Sequence, residues 1–158
     1  MTKYNHLGLN DSISKDLVAQ LGDLLANYSV FYQNVRGYHW NIKGSDFFEL
    51  HVKFEELYDD LVLKIDEIAE RILTLGGAPN HSFTSYLQQS EIVESSQVAN
   101  GKKGVEEVLA SFKVLLIKQR NILSIASEGD DEGTSAMMSD YIREQEKLIW
   151  MYSAFLNK

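Results

Sequence analysis

Two histidines and two carboxylates are the residues of this chain whose types and spacing point to chemistry. His39 and His51 each lie six positions from Ser45, one before it and one after it. Asp66 and Glu70 are four positions apart, so in a helix their carboxylates share one face. Imidazole nitrogens and carboxylate oxygens bind iron, zinc and manganese. The four residues are therefore the candidate ligands of a metal site.

The composition limits what such a site can contain and where the protein works. The chain of 158 residues has no cysteine, which excludes disulfides, thiolate zinc sites and iron-sulfur clusters. Any metal is then held by nitrogen and oxygen. The first ten residues lack the apolar core of a signal peptide, and no apolar run approaches the roughly 18 residues of a membrane span. We expect a soluble, cytoplasmic protein.

The histidine pair also has an ordinary structural interpretation. Both residues fall on apolar stripes, where a buried histidine is more often satisfied by hydrogen bonds than bound to a metal. A helical hairpin that turns near Ser45 places His39 and His51 at matched height. That pairing favours metal binding over two independent core histidines.

The carboxylate pair is open to a second interpretation as well. Asp66 and Glu70 can belong to a solvated acidic face that forms surface pairs with Lys64 and Arg71. Their position relative to His51 argues for a metal site instead.

Helical periodicity predicts the elements that position these residues. Four stretches carry apolar residues at the intervals of an amphipathic helix: from Ile13 to His39, from Asp46 to Ile72, from Val105 to Ile122 and from Met137 to Phe155. Asp46, with Glu49 three residues on, is the predicted N-cap of the second. The polar segment 80–97 predicts a long crossover with a short helix. We expect an all-α, ferritin-like four-helix bundle in a single domain, 1–158, whose first residues, 1–11, form a flexible tail.

The second helix is too long for one chain to complete the site. From His51 to Asp66 the helix rises about 22 Å with roughly 60° of residual rotation. Metal-ligand bonds are only about 2 Å long, so one ion cannot bridge that distance within a subunit. Two antiparallel copies of this helix, paired across a two-fold axis near Asp59-Asp60, bring the carboxylates of one copy level with His51 of the other. We expect two identical shared sites.

The ligand set leaves the metal open. Two imidazoles with two carboxylates suit ferrous iron, zinc and manganese comparably, and carboxylates favour the harder ferric state. Phe48 stands three positions before His51, so the chain lacks the Glu-x-x-His pairs of carboxylate-rich di-iron bundles. Trp40, next to His39, has two interpretations: it exchanges electrons near the metal, or it packs beside the site.

Three motifs carry a family resemblance: Tyr38-His39-Trp40-Asn41-Ile42-Lys43-Gly44, then His51, then Asp66-Glu67-Ile68-Ala69-Glu70-Arg71 followed by Leu75-Gly76-Gly77. The chain resembles the Dps family of miniferritins over nearly its whole length. The resemblance implies a hollow dodecamer that oxidises ferrous iron, preferably with hydrogen peroxide, stores ferric mineral inside and protects against oxidative stress.

The resemblance also implies roles for particular residues. The ferroxidase ligands of the family match His39, His51, Asp66 and Glu70, shared across a dimer interface, and Glu55 falls where a weaker ligand lies. Iron is the implied metal, with zinc or manganese as alternative resting occupants.

Acids near the start of the last helix line the iron pores of the family. Glu128 and Glu132 match two of those positions, and Ala136 replaces a third acid. Asp130 and Asp131 either substitute for it or are solvated turn residues.

Many members of the family bind DNA through lysine-rich N-terminal tails. The tail from Met1 to Asp11 has one lysine, one histidine and one aspartate, and the chain carries a net charge of -8. Twelve copies at -8 each give -96, which opposes the phosphate backbone. DNA binding is expected to be weak or absent, and a nucleoid-associated, DNA-protecting protein is the alternative function. A structural assembly without metal is the third hypothesis.

Overall fold

The computed structural model describes residues 3–158 and contains five α-helices. In chain order they are α1 (Asp11–Asn41), α2 (Phe47–Thr74), α3 (Phe83–Gln89), α4 (Gly101–Glu128) and α5 (Glu132–Phe155). Across residues 3–158 extended pairing is limited to two isolated bridges, Tyr4 with Asn10 and Lys43 with Asn100. None of the helices in this part of the chain is long and apolar enough to cross a membrane. The predicted all-α class is confirmed.

The four long helices form the bundle, and α3 lies in the connection between α2 and α4. α1 packs against α2 and α4, and α4 packs against α5. Apolar side chains at helical spacing fill the interior. The largest buried ones are Tyr28, Phe31, Tyr38, Phe54 and Phe112. The architecture is the predicted four-helix bundle, with a long crossover that contains one short helix.

The side chains that cap the helices differ in part from the sequence prediction. Asn10 caps α1, because its side chain accepts the N–H groups of Ser12 and Ile13 at 3.0 and 3.1 Å. The prediction of a side-chain cap at Asp46 is wrong, since this residue occupies the N-cap position of α2 without forming a capping bond. Its backbone (φ -96°, ψ 8°) is already close to helical. A capping side chain needs an extended backbone to reach the first N–H groups.

The flexibility of the tail at 1–11 stays a prediction, and the structure shows defined contacts in part of this segment. Asp11 is the first residue of α1. Before it, Asn5 organises a loop: its Oδ1 accepts two backbone N–H groups at 2.9 and 3.1 Å, and its Nδ2 donates to Ser14 at 2.9 Å. Residues 1 and 2 of the predicted tail lie outside the described residues.

Two asparagines of α1 hold the crossover against the bundle. Oδ1 of Asn27 accepts the N–H groups of Glu91 and Ile92 at 3.0 and 3.2 Å. Oδ1 of Asn34 accepts the N–H of Ser95 at 2.8 Å. Seven positions are two helical turns, so both asparagines face the same way. They satisfy backbone groups that have no regular secondary structure to pair with.

Candidate metal centre

His39 and His51 lie against each other where α1 ends and α2 begins. Their rings are parallel within 11°, with centroids 3.8 Å apart. Nδ1 of His39 is 2.6 Å from the carbonyl oxygen of His51, and Nδ1 of His51 is 2.7 Å from the carbonyl oxygen of His39. The structure thus brings the two residues to matched height, as their spacing around Ser45 predicted.

The reciprocal bonds determine which nitrogen of each ring carries the proton. A carbonyl oxygen can only accept, so Nδ1 is the donor in both rings. The carbonyl of His39 is one of the last four of α1, which lack partners inside the helix, and the bond from His51 satisfies it. A neutral imidazole whose proton is on Nδ1 has a lone pair on Nε2, and this is the form that binds a metal. The reciprocal hydrogen bonds therefore account for only one nitrogen of each ring.

Two aromatic side chains of α2 hold the histidine rings in place. Phe47 stacks on His51 with centroids 4.9 Å apart, and Tyr58 packs edge-on against His39 at 5.4 Å. The sequence placed both on the apolar stripe of the second helix without giving them a part in the site. Their spacing could have predicted this contact, because Phe47 precedes His51 by four positions and Tyr58 follows it by seven, which places all three on one face of the helix.

Asp66 and Glu70 lie on the exposed side of α2, and Lys64 has other partners. The Lys64 side chain is buried, with 5% of it exposed, and pairs with Asp60 and Glu144, both at 2.8 Å. Burial by itself would lower the pKa of Lys64, but the two adjacent carboxylates outweigh it and the pKa is raised. Lys64 is therefore a charged, inward-facing residue and not a surface partner of Asp66.

Arg71 also turns away from the candidate carboxylates. Its Nη2 donates to Asp131 at 2.6 Å, and its Nε donates to Thr134 at 2.9 Å. Across residues 3–158 the structure shows no ion pair to Asp66 or Glu70. The interpretation of these two acids as members of surface pairs with Lys64 and Arg71 is wrong, since both cations bind elsewhere.

The outer face of α2 combines the two acids with exposed apolar side chains. The apolar members of this stripe follow at helical intervals: Phe48, Val52, Leu63 and Leu73. Phe48 is 84% exposed. Exposed apolar side chains that share one helix face make that face a candidate contact surface. Within residues 3–158 of a single chain, no three of His, Asp and Glu lie close enough to hold a metal ion, so the candidate ligands form two separate pairs.

Known proteins similar to this chain establish its family. The ferritin-like domain family matches residues 18–158. The solved structure of the DPS protein from Vibrio cholerae O1, a member of a broad superfamily of ferritin-like diiron-carboxylate proteins, is 55% identical, with a TM-score of 0.96 over 99% of this chain and 98% of that chain. A DNA protection during starvation protein of Porphyromonas gingivalis is 42% identical, covering 96% of this chain and 95% of its own length.

The chain belongs to the Dps family of ferritin-like proteins. An uncharacterized protein of Haemophilus influenzae is 53% identical over 94% of this chain and 92% of its own length. The resemblance drawn from the histidine and carboxylate motifs is thereby confirmed.

The turn between α4 and α5 separates the acids that the Dps resemblance assigned to iron access. Glu128 ends α4 and Glu132 begins α5, and both are exposed, as are Asp130 and Ala136. Asp131 is different: it is 2% exposed, and its Oδ1 caps α5 by accepting a backbone N–H at 3.0 Å. Both predicted roles for Asp131, pore acid and solvated turn residue, are wrong because its carboxylate is used inside the protein.

Trp40, placed near the site by its adjacency to His39, and Glu55, placed there by the Dps resemblance, do not stack on the histidine rings. Trp40 is 54% exposed, and the guanidinium of Arg36 lies 4.8 Å from its ring centroid. Glu55 is exposed and lies four positions after His51 on α2. Its role as a weaker ligand stays a prediction.

Proposed function

We propose that this Dps-family protein is a ferroxidase that binds ferrous iron between two copies of the chain and stores the ferric product inside a closed assembly. The observation that carries the proposal is the histidine pair, in which both Nδ1 atoms bond to backbone carbonyls and both Nε2 atoms are left as ligands. The donor set, two imidazoles and two carboxylates, fits iron. The diiron-carboxylate superfamily of the Vibrio cholerae relative supports the same metal.

In the proposed site, His39 and His51 of one chain face Asp66 and Glu70 of its partner. The rise of about 22 Å along α2 keeps these pairs apart in a single chain. Antiparallel pairing of two α2 helices about a two-fold axis brings them level. The exposed apolar side chains on the outer face of α2 supply the contact between the two copies. We further propose a cytoplasmic homo-oligomer, a dodecamer as in the family.

Iron is the substrate of the proposed reaction. Carboxylate oxygens stabilise the ferric ion more than the ferrous ion, which favours loss of an electron at this site. With hydrogen peroxide as oxidant, two ferrous ions each give one electron, the O–O bond breaks, and the oxygens take up protons to form water. Removal of both reagents limits hydroxyl-radical formation, which is the proposed protective role. Zinc, which has no redox chemistry, and manganese are expected to compete for the same ligands.

Mixing two inactive variants tests whether the site is shared between chains. His39→Ala and Asp66→Ala should each lack rapid ferric absorbance after ferrous iron and peroxide are added. When the two variants are unfolded, mixed in equal amounts and reassembled, half of the dimers combine both chains, and one site in each such dimer has all its ligands. About a quarter of the parental activity should return.

The control is each variant unfolded and reassembled alone, which should stay inactive. No recovery in well-assembled mixtures would show that the four ligands do not act across the interface. Parental rates in the single variants would show that the site lies elsewhere.

DNA protection is the second candidate, favoured by the name of the Porphyromonas gingivalis relative. The net charge of -8 opposes it, since DNA-binding surfaces are basic. The assembled protein should not retard plasmid migration at physiological salt. Retardation under those conditions would make DNA binding a function of this chain alongside iron oxidation.

A further inference from the structure

Arg71 joins the carboxylate end of α2 to the first turn of α5. Its two bonds, Nη2 to Asp131 and Nε to Thr134, use two arms of the guanidinium fork. The acceptors are themselves fixed, because Oγ1 of Thr134 donates to Oδ2 of Asp131 at 2.5 Å. The planar fork is therefore held in one orientation by two anchored groups, which a single-point lysine could not reproduce.

Gly133 provides the space for this contact. A Cβ atom at Gly133 would lie 2.7 Å from Nη2, 2.8 Å from Nη1 and 3.0 Å from Cζ of Arg71. Side-chain atoms do not approach that closely, so the guanidinium lies against bare backbone. Glycine is a poor helix former. Its presence at the second residue of α5 is explained by the room that it leaves for Arg71.

The network acts at the end of α2 that carries the candidate carboxylates. Arg71 directly follows Glu70, and α2 ends at Thr74. Terminal turns of helices fray when nothing holds them. Neighbouring residues of a helix point about 100° apart, so Arg71 can bond to α5 while Glu70 faces outward. A clamp at this position limits motion of the turn to which Glu70 belongs.

We propose that Arg71 is a positioning residue for the shared metal site. By clamping the last turn of α2 to α5, it holds Glu70, and through the same helix Asp66, at the height where they meet the histidines of the partner chain. The inference rests on the proposed function, because it needs those two carboxylates to be ligands. Side chains that orient metal ligands typically change metal affinity by about 10- to 100-fold when they are replaced.

Binding of Co²⁺ to the assembled protein tests the proposal without any turnover. Its visible spectrum reports coordination geometry, which a general loss of stability does not alter. Arg71→Gln should weaken Co²⁺ binding on the order of tenfold and change the spectrum, while the assembled mass stays parental. Gly133→Ala should also weaken Co²⁺ binding and change the spectrum, since the added Cβ displaces the guanidinium without removing any charge. Arg71→Lys should rescue binding only in part.

Two matched variants serve as controls. Arg120→Gln removes an arginine from an exposed ion pair with Glu146 at 3.0 Å. Gly22→Ala adds a Cβ at a helical glycine that has no heavy atom within 4 Å of the new group. Both should keep the parental Co²⁺ affinity and spectrum.

Parental affinity and spectrum in assembled Arg71→Gln and Gly133→Ala would overturn the proposal, even with a lowered Tm. If Arg71→Gln does not assemble, Gly133→Ala and Arg71→Lys decide the question by the same two readouts. Failure of the proposed function looks different: His39→Ala and Asp66→Ala would then bind Co²⁺ as the parent does.

Discussion

Tyr28 is fully buried and belongs to a closed ring of three hydrogen-bonded side chains. Its hydroxyl donates to Gln119 at 2.5 Å and accepts from Gln145 at 2.6 Å, and the two amides bond to each other at 2.8 Å. The ring satisfies polar groups in the middle of an apolar core. Burial raises the pKa of the Tyr28 hydroxyl above its ordinary value of 10.0, because the ionised form would lose its hydration.

Replacement of this hydroxyl should have an effect that depends on pH. At neutral pH, Tyr28→Phe should cost about 1–3 kcal/mol, since both glutamines lose a partner. Because the pKa is raised in the folded state, the unfolded tyrosine ionises first, near pH 10. The parent loses stability from Tyr28 above that pH and the variant does not. The difference in free energy of unfolding should therefore shrink above pH of about 10.

Urea unfolding at fixed protein concentration between neutral and strongly alkaline pH measures this difference. Tyr4→Phe is the control, because Tyr4 is exposed. A difference between parent and Tyr28→Phe that stays constant over the whole range would contradict the prediction.

The sequence predicted the histidines better than the acids of the turn between α4 and α5. His39 and His51 were identifiable because their spacing around Ser45 is local information. Asp131 stands among four neighbouring glycine and acidic residues, and nothing in that run distinguishes it. The residue that draws it inward is Arg71, sixty positions earlier in the chain. A contact between residues so far apart in the chain produces no periodic pattern in a single sequence.

At the scale of the elements, the crossover between α2 and α4 depends on side chains of α1. Asn27→Ala should destabilise the protein by about 1–3 kcal/mol, since the N–H groups of Glu91 and Ile92 lose their acceptor. Hydrogen exchange at those two amides should accelerate more than exchange in the long helices. Asn121→Ala, an exposed position of α4, should change neither quantity. Unchanged exchange in Asn27→Ala would show that the crossover is held by its other contacts.

The helices were predictable from sequence and the path of the crossover was not. Apolar residues at intervals of three and four mark each long helix, because every turn must place a side chain in the core. The crossover is fixed instead by Asn27 and Asn34, whose side chains reach backbone groups about sixty positions away. The predicted side-chain cap at Asp46 is absent for a related reason. Its backbone conformation is set by the tight turn from Gly44, whose carbonyl accepts the N–H of Phe47 at 3.1 Å.

At the scale of the whole molecule, metal binding should depend on contact between chains. Leu63 is 64% exposed on the outer face of α2, three positions before Asp66. Leu63→Glu places a charge in the proposed contact and should prevent pairing, because a buried unpaired charge is costly. Metal affinity should then fall by at least about tenfold, although all four ligands remain. Light scattering and Co²⁺ titration measure the two effects.

Ser124→Glu is the matched control, since it adds the same charge to an exposed polar position of α4. It should leave both mass and affinity unchanged. If the Leu63→Glu protein is monomeric and still binds Co²⁺ with parental affinity, the metal site does not require a second copy of the chain.

The reciprocal histidine bonds also restrict the length of the turn between α1 and α2. Surface turns usually tolerate inserted residues, which makes them common places for grafted peptides. Here an insertion between Asn41 and Asp46 would shift His51 relative to His39 and break both bonds at once. Length variation among natural homologues is expected to avoid this turn. A designer who wishes to display a peptide on the protein should use a chain terminus instead.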